Sequence, residues 1–193
     1  MLAEANELLG DDQTVARCAI FPQFVPKDGP ATAFDHTQLI YFRKDNKGQY
    51  AVSVGWRGLL PENADVHDFG CRQAANNNAR KAGKLGRDPE PIVEATHYLG
   101  YYDLSVIDAK AASDKVYDVF VELVPENGED AHSHVVLNER ESVEKNTPKV
   151  AHRTQIVDEL WRRMAGPERW LCLCDEPHRN DLEAVILPLQ KNT

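Results

Sequence analysis

His132-Ser133-His134 is the constellation in this chain whose residue types and spacing most suggest chemistry. On a strand, side chains two apart share a face, so both imidazoles point the same way. Neutral imidazoles ligate zinc, iron or copper, and a metal site would take further ligands from elsewhere, such as His97, His152 or a nearby carboxylate. A divalent metal held by His132 and His134 would activate water; without a metal, one imidazole would serve as general base, with Arg153 steadying an anionic group. Two ligands do not make a site, and histidine pairs at a sheet surface are the commoner occurrence.

Other residues invite a chemical reading more weakly. Cys172-x-Cys174 puts two sulfurs on one strand face with His178 in the following turn, but structural zinc sites more often use ligand pairs two to four residues apart. Cys71 lies in Phe69-Gly70-Cys71-Arg72, where a helix start and an adjacent guanidinium would favour a thiolate. Gly55-Trp56-Arg57-Gly58 sets a Trp and an Arg between glycines, and Tyr101 and Tyr102 follow Gly100. Glycines there mark a strand bend or a close approach to backbone, so Trp56, Arg57, Tyr101 and Tyr102 are the expected contacts of a binding surface. Arg72, Arg80, Lys81, Lys84 and Arg87 make the most basic stretch, read as a solvated helix face before an anion or nucleic-acid contact. No G-x-S-x-G elbow, phosphate-binding glycine loop, dinucleotide fingerprint or H-E-x-x-H helix occurs.

The elements that must position these residues centre on Lys115 to Asn138. Val, Tyr and Phe alternate before Pro125 and again after Asp130, and Asn127-Gly128 supplies the φ > 0 pair of a two-residue hairpin turn. Counting outward, Leu123 should face His132, Val121 His134 and Val119 Val136, with both histidines on the more apolar face. Thr37 to Arg43 and Gln49 to Trp56 read as a second hairpin, and Val15 to Val25 as a strand limited by Pro22 and Pro26. Pro91 to Ile107 reads as strand with a bulge or break at Gly100.

Leu2 to Leu9 predicts a short helix and Asp65 to Lys84 a long one, along Val66, Phe69, Ala74, Ala79, Ala82 and Leu85. Thr147 as cap, Pro148 at the first turn and Gly166-Pro167 at the end define another, with Val150, Ile156, Val157, Leu160, Trp161 and Met164 as its buried stripe. Arg153 falls inside that stripe, where it would either snorkel past a helix end or hold an internal carboxylate, structural pairing being the expected role. Two strands, 169–175 and 182–189, end the chain. The pattern implies an α+β fold: a largely antiparallel sheet built from hairpins, packed by two longer helices, in a single domain over 1–193.

The 193 residues suffice for a real core. A content of 42% apolar and 27% charged residues is ordinary for a globular protein. A formal charge of -9 weighs against a nucleic-acid partner, and no run approaches the roughly 18 apolar residues of a membrane span. The acidic N-terminal stretch does not resemble a secretory signal, and four cysteines read as reduced core thiols, which together predict a cytoplasmic protein. Three functions follow as expectations: a domain that binds a protein or small-molecule ligand, a metal-dependent hydrolase-like enzyme using His132 and His134, or an acidic inhibitor or immunity-type protein covering a basic partner.

Overall fold

The computed structural model describes residues 7–23, 35–44, 48–91, 93–126 and 128–166. They form an α+β fold with a largely antiparallel sheet and two longer helices. The strands are β1 (Glu7–Leu8), β2 (Thr14–Phe21), β3 (Arg43–Lys44), β4 (Tyr50–Trp56), β5 (His97–Ser105), β6 (Tyr117–Leu123) and β7 (His132–Glu139). The helices are α1 (His36–Leu39), α2 (Asn63–Leu85), α3 (Val106–Ala111) and α4 (Lys149–Arg163). The strands hydrogen-bond in the order β1-β6-β7-β4-β2-β5, with β3 on β4 outside that path. No helix among the described residues is long and apolar enough to cross a membrane.

The described residues divide into two compact units, the first within Met1–Arg17, Ile40–Pro61 and Asp103–Ala165, the second within Cys18–Leu39, Glu62–Tyr102 and Gly166–Thr193. In the first, the β6–β7 hairpin is central. Glu126 and Glu129 pair as an antiparallel bridge and Gly128 has φ +78°, the spacing and backbone that a two-residue turn requires. Asn127 itself lies outside the described residues. The ladder nonetheless differs from the outward count: Leu123 faces Ser133, Val121 faces Val135 and Val119 faces Leu137. Between the bridge and this ladder the first arm contains Val124 and Pro125, whereas the second contains Asp130, Ala131 and His132. That one extra residue is a bulge, and it turns every later side chain of β7 to the other face.

The face of Tyr117, Val119 and Val121 carries Val135 and Leu137 from β7 and Val52 and Val54 from β4, all seven of them deeply buried. Ile156, Val157, Leu160 and Met164 of α4 are buried as the stripe predicts and Trp161 is half-buried, whereas Val150 is 68% exposed because the helix begins out in solvent. The N-cap is Pro148, without a side-chain cap from Thr147. At the other end of α4, Arg163 binds Glu159 at 2.7 Å and Asp108 of α3 at 3.0 Å. The Ser105 hydroxyl, and after it this guanidinium, hold the Asp108 carboxyl below the usual range.

Two expected elements take another form. Glu7–Leu8 is a strand paired to Leu123 and Glu122, not the end of a helix, because extension lets Leu9 donate its N–H to Val121 O at 2.9 Å and bury its side chain; residues 1–6 lie outside the described ones. The first arm of the second hairpin is only Arg43–Lys44. His36–Leu39 instead coils into a helical turn after Asp35, whose carboxylate accepts the Thr37 N–H at 2.8 Å.

In the second unit, α2 starts at a reciprocal capping box between Glu62 and Asp65 and ends at Gly86 with φ +69°, whose N–H returns to Ala82 O. Its apolar stripe is buried only in the first half, at Val66, Phe69 and Ala74; Leu85 is exposed. Asn78 is unfavourable by propensity and is held by Thr96. It donates to Thr96 O at 3.0 Å and accepts the Thr96 N–H and hydroxyl at 2.7 Å each. β2 stops at Phe21, directly before a cis Pro22. Cys18 is a buried thiol as expected, but Cys71 is disulfide-bonded, which corrects the reading of four reduced thiols. The strands predicted at 169–175 and 182–189, with Cys172, Cys174 and His178, lie outside the described residues.

Candidate functional site

The bulge sets the environment of the histidine pair. His134 lies opposite Glu122 of β6 and Ser53 of β4, and His132 opposite Gly55, so the pair shares the face of Phe120 and Glu122 instead of the Val119–Val121 face. The two rings meet edge-on, 4.9 Å between centroids. His132 is buried, with Nδ1 3.0 Å from Val124 O and 3.7 Å from a Glu126 carboxylate oxygen. An Nδ1–H donated to a carbonyl is how many metal ligands are oriented, but among the described residues no group of three His, Cys, Asp or Glu side chains is placed to hold a metal ion. His152 stands on α4 against Asp114, and His97 belongs to β5 with contacts of its own.

Of the four expected contact residues, Trp56 and Arg57 are half-buried and have partners within the first unit. Trp56 donates its indole N–H to Gln13 at 2.9 Å and folds over Gly58, where an added Cβ would sit 2.4 Å from the ring. Arg57 stands 3.6 Å from the Asp103 carboxylate. These contacts account for glycine beside the Trp without any ligand. In the second unit, Tyr101 and Tyr102 are fully buried, and burial raises the Tyr102 phenol well above its usual range.

Gly100 has φ +155° and β5 runs through it unbroken. Tyr98 and Tyr101 both reach His67 of α2, each with 5.6 Å between ring centroids. Tyr98 hydroxyl and His67 Nδ1 are hydrogen-bonded at 2.9 Å, and Tyr101 donates to Asn63 at 2.7 Å. The basic stretch on α2 is largely answered within its own unit. Arg87 pairs bidentately with Glu94 at 2.7 and 2.9 Å, Lys81 bonds Glu94 O, and Arg80 bonds Asn77 at 2.6 Å.

A different group comes together in the first unit, around the start of α4. Asp114, in the turn before β6, accepts the N–H groups of Val116 and Tyr117 at 2.7 and 2.8 Å. Its second oxygen accepts Nδ1–H of His152 at 2.5 Å. Burial pushes this carboxyl up, and the two backbone donors with His152 outweigh it, so Asp114 titrates below its ordinary value. His152 Nε2 makes no hydrogen bond to a described residue, and the side chain is 14% exposed.

Arg153 follows. Nη1 donates to the Tyr117 hydroxyl at 2.9 Å, and the guanidinium carbon lies 4.3 Å from the centroid of the Tyr50 ring. The expected internal carboxylate is not its partner: among the described residues no carboxylate lies within ion-pair distance of Arg153. Aromatic stacking and a phenol oxygen hold the cation instead, because α4 crosses the sheet where Tyr50 and Tyr117 stand on one face. Nearby charges are Lys149 and Glu139, paired at 2.6 Å.

Arg153 is legible in the sequence as a charge needing partners, whereas the role of Asp114 is not. An Asp before a strand, accepting N–H groups from the residues that follow, is a readable turn signal. Its pairing with a histidine 38 residues away is not. No family model matches the chain, and no curated protein or solved structure matches it either.

Proposed function

We propose that the protein is a ligand-binding domain whose seat is the corner of the first unit formed by His152 and Arg153 of α4, Tyr117 of β6 and Tyr50 of β4. One observation carries the reading: the half-buried Arg153 guanidinium is fixed by Tyr50 and Tyr117 yet meets no carboxylate among the described residues. A half-buried cation is normally paired, and a guanidinium whose position is fixed while part of its donor set faces solvent is ready to receive an acceptor from outside. Tyr50 and Tyr117 limit the side-chain entropy lost on binding.

The test is a thermal-shift screen of small metabolites on the full chain and on Arg153→Gln. Ligands that raise the melting temperature of the first and not of the variant support the seat. Hits that stabilise both equally place the ligand elsewhere, and a screen without hits removes the reading.

A second reading has its own observation. Asp114 holds His152 by Nδ1 and leaves Nε2 open, an arrangement suited to a general base. Under this reading the enzymatic function expected of His132 and His134 moves to His152, and Arg153 keeps its expected role of steadying an anion. Turnover of any Arg153-dependent ligand, lost in His152→Gln while binding persists, distinguishes it. The Cys71 disulfide bears on location. Disulfides are rare in a reducing cytosol, so it favours an oxidising compartment over the expected cytoplasm.

A further inference from the structure

We infer that the group recognised at the Arg153 corner is an oxyanion, a carboxylate or a phosphate; this rests on the binding reading above. What points to it is which edge of the guanidinium is occupied. Nη1 is engaged by the Tyr117 hydroxyl. Nε and Nη2 make no hydrogen bond to a described residue, and Arg153 is only half-buried. Nε–H and the adjacent Nη2–H point in parallel along one edge, and two parallel N–H donors match two oxygens carried on one carbon or phosphorus. A neutral carbonyl or ether oxygen can use only one of them.

The surroundings fit the same chemistry. Tyr50 covers a face of the guanidinium and Tyr117 fixes its other end, so the fork does not have to be ordered on binding. Two carboxylates stand nearby, and each is already answered by a cation or by donors: Glu139 by Lys149, and Asp114 by His152 with the N–H groups of Val116 and Tyr117. In its protonated form His152 would add a donor at Nε2.

The test is an NMR titration of the full 15N-labelled chain, following the Arg153 Nε–Hε signal, with inorganic phosphate in one arm and sodium acetate in the other. Sodium chloride at equal ionic strength is the reference. A saturable shift in either arm, absent with chloride, supports the inference, and the arm with the tighter curve identifies phosphate or carboxylate. Arg153→Lys keeps the charge and loses the fork, so its affinity, followed in both proteins by the backbone amides around α4, should fall about tenfold or more, the worth of one charge-assisted hydrogen bond; unchanged affinity would overturn the fork. No saturable shift in either arm overturns the oxyanion. If neutral metabolites still give Arg153-dependent stabilisation in the screen, the binding seat stands without it; if they do not, both readings fall together.

Discussion

Asp114 and His152, 38 residues apart in the chain, are joined by a 2.5 Å hydrogen bond that ties the turn before β6 to the start of α4. The carboxylate is the hub: besides His152 it accepts the Val116 and Tyr117 N–H groups, which fix where Tyr117 starts its strand. Tyr117 in turn carries Arg153. Removing Asp114 therefore leaves two backbone donors and an imidazole to find new partners.

Asp114→Ala should cost roughly 1–3 kcal/mol at pH 7 from those lost bonds. The folded-state pKa is depressed from the ordinary 3.8. Its stabilisation is thus fully present above that value and is lost as pH falls through the lower folded one. Urea melts at pH 7, 5 and 3 should show the wild type's advantage over the variant holding to about pH 5 and shrinking toward pH 3. A constant difference would mean that Asp114 contributes no charge-dependent stability.

Two glycines of α2 should respond in opposite directions to the same change. At Gly70 a Cβ would stand 2.2 Å from the Tyr98 ring, and that ring is held by its hydroxyl on His67. Gly70→Ala should destabilise by about 1–3 kcal/mol despite the gain in helix propensity. A Cβ at Gly83 meets nothing within 4 Å. Gly83→Ala should therefore stabilise by about 1 kcal/mol. Equal effects in thermal melts would show that Tyr98 yields to the added methyl.

How far the fold is legible in the sequence is visible in the central hairpin. The two-residue spacing at Gly128 is readable because turn chemistry is local, whereas the bulge at Asp130–His132 is not, since no residue type marks it. That single insertion moves His132 and His134 to the face of Glu122. The long helices are legible from periodicity. Val150 is misplaced by it because periodicity states which side faces inward without stating how far the packing extends. Arg153 is readable as a cation needing a partner. Its partners come from β4 and β6, distant in the chain, and spacing does not encode them.

The cysteines make a chemical prediction. Cys18 is 2% exposed, so its thiol should resist alkylation in the native protein and react in denaturant without reductant. Cys71 should be labelled only after reduction, as peptide mapping by mass spectrometry would show. Reduction should lower stability by about 2–4 kcal/mol through the freed unfolded chain. Labelling of Cys71 in denaturant alone would rule the disulfide out in the isolated protein.

The arrangement of Tyr50 and Arg153 decides whether the corner is a binding seat or a surface arginine resting on a ring. If stacking fixes the guanidinium, a double-mutant cycle with Tyr50→Leu and Arg153→Met should give a coupling of about 0.5–1 kcal/mol in denaturant melts. Tyr50→Leu alone should also weaken oxyanion binding several-fold while leaving every charge in place, because the fork would then have to be ordered by the ligand. Tyr117→Phe removes the Nη1 acceptor and keeps the ring, so it should free a third donor and shift the Arg153 Nε–Hε signal even without anion. Were coupling present and anion affinity unchanged in Tyr50→Leu, the stack would stabilise α4 on the sheet without preparing a site. The arginine's position would then be a matter of packing alone.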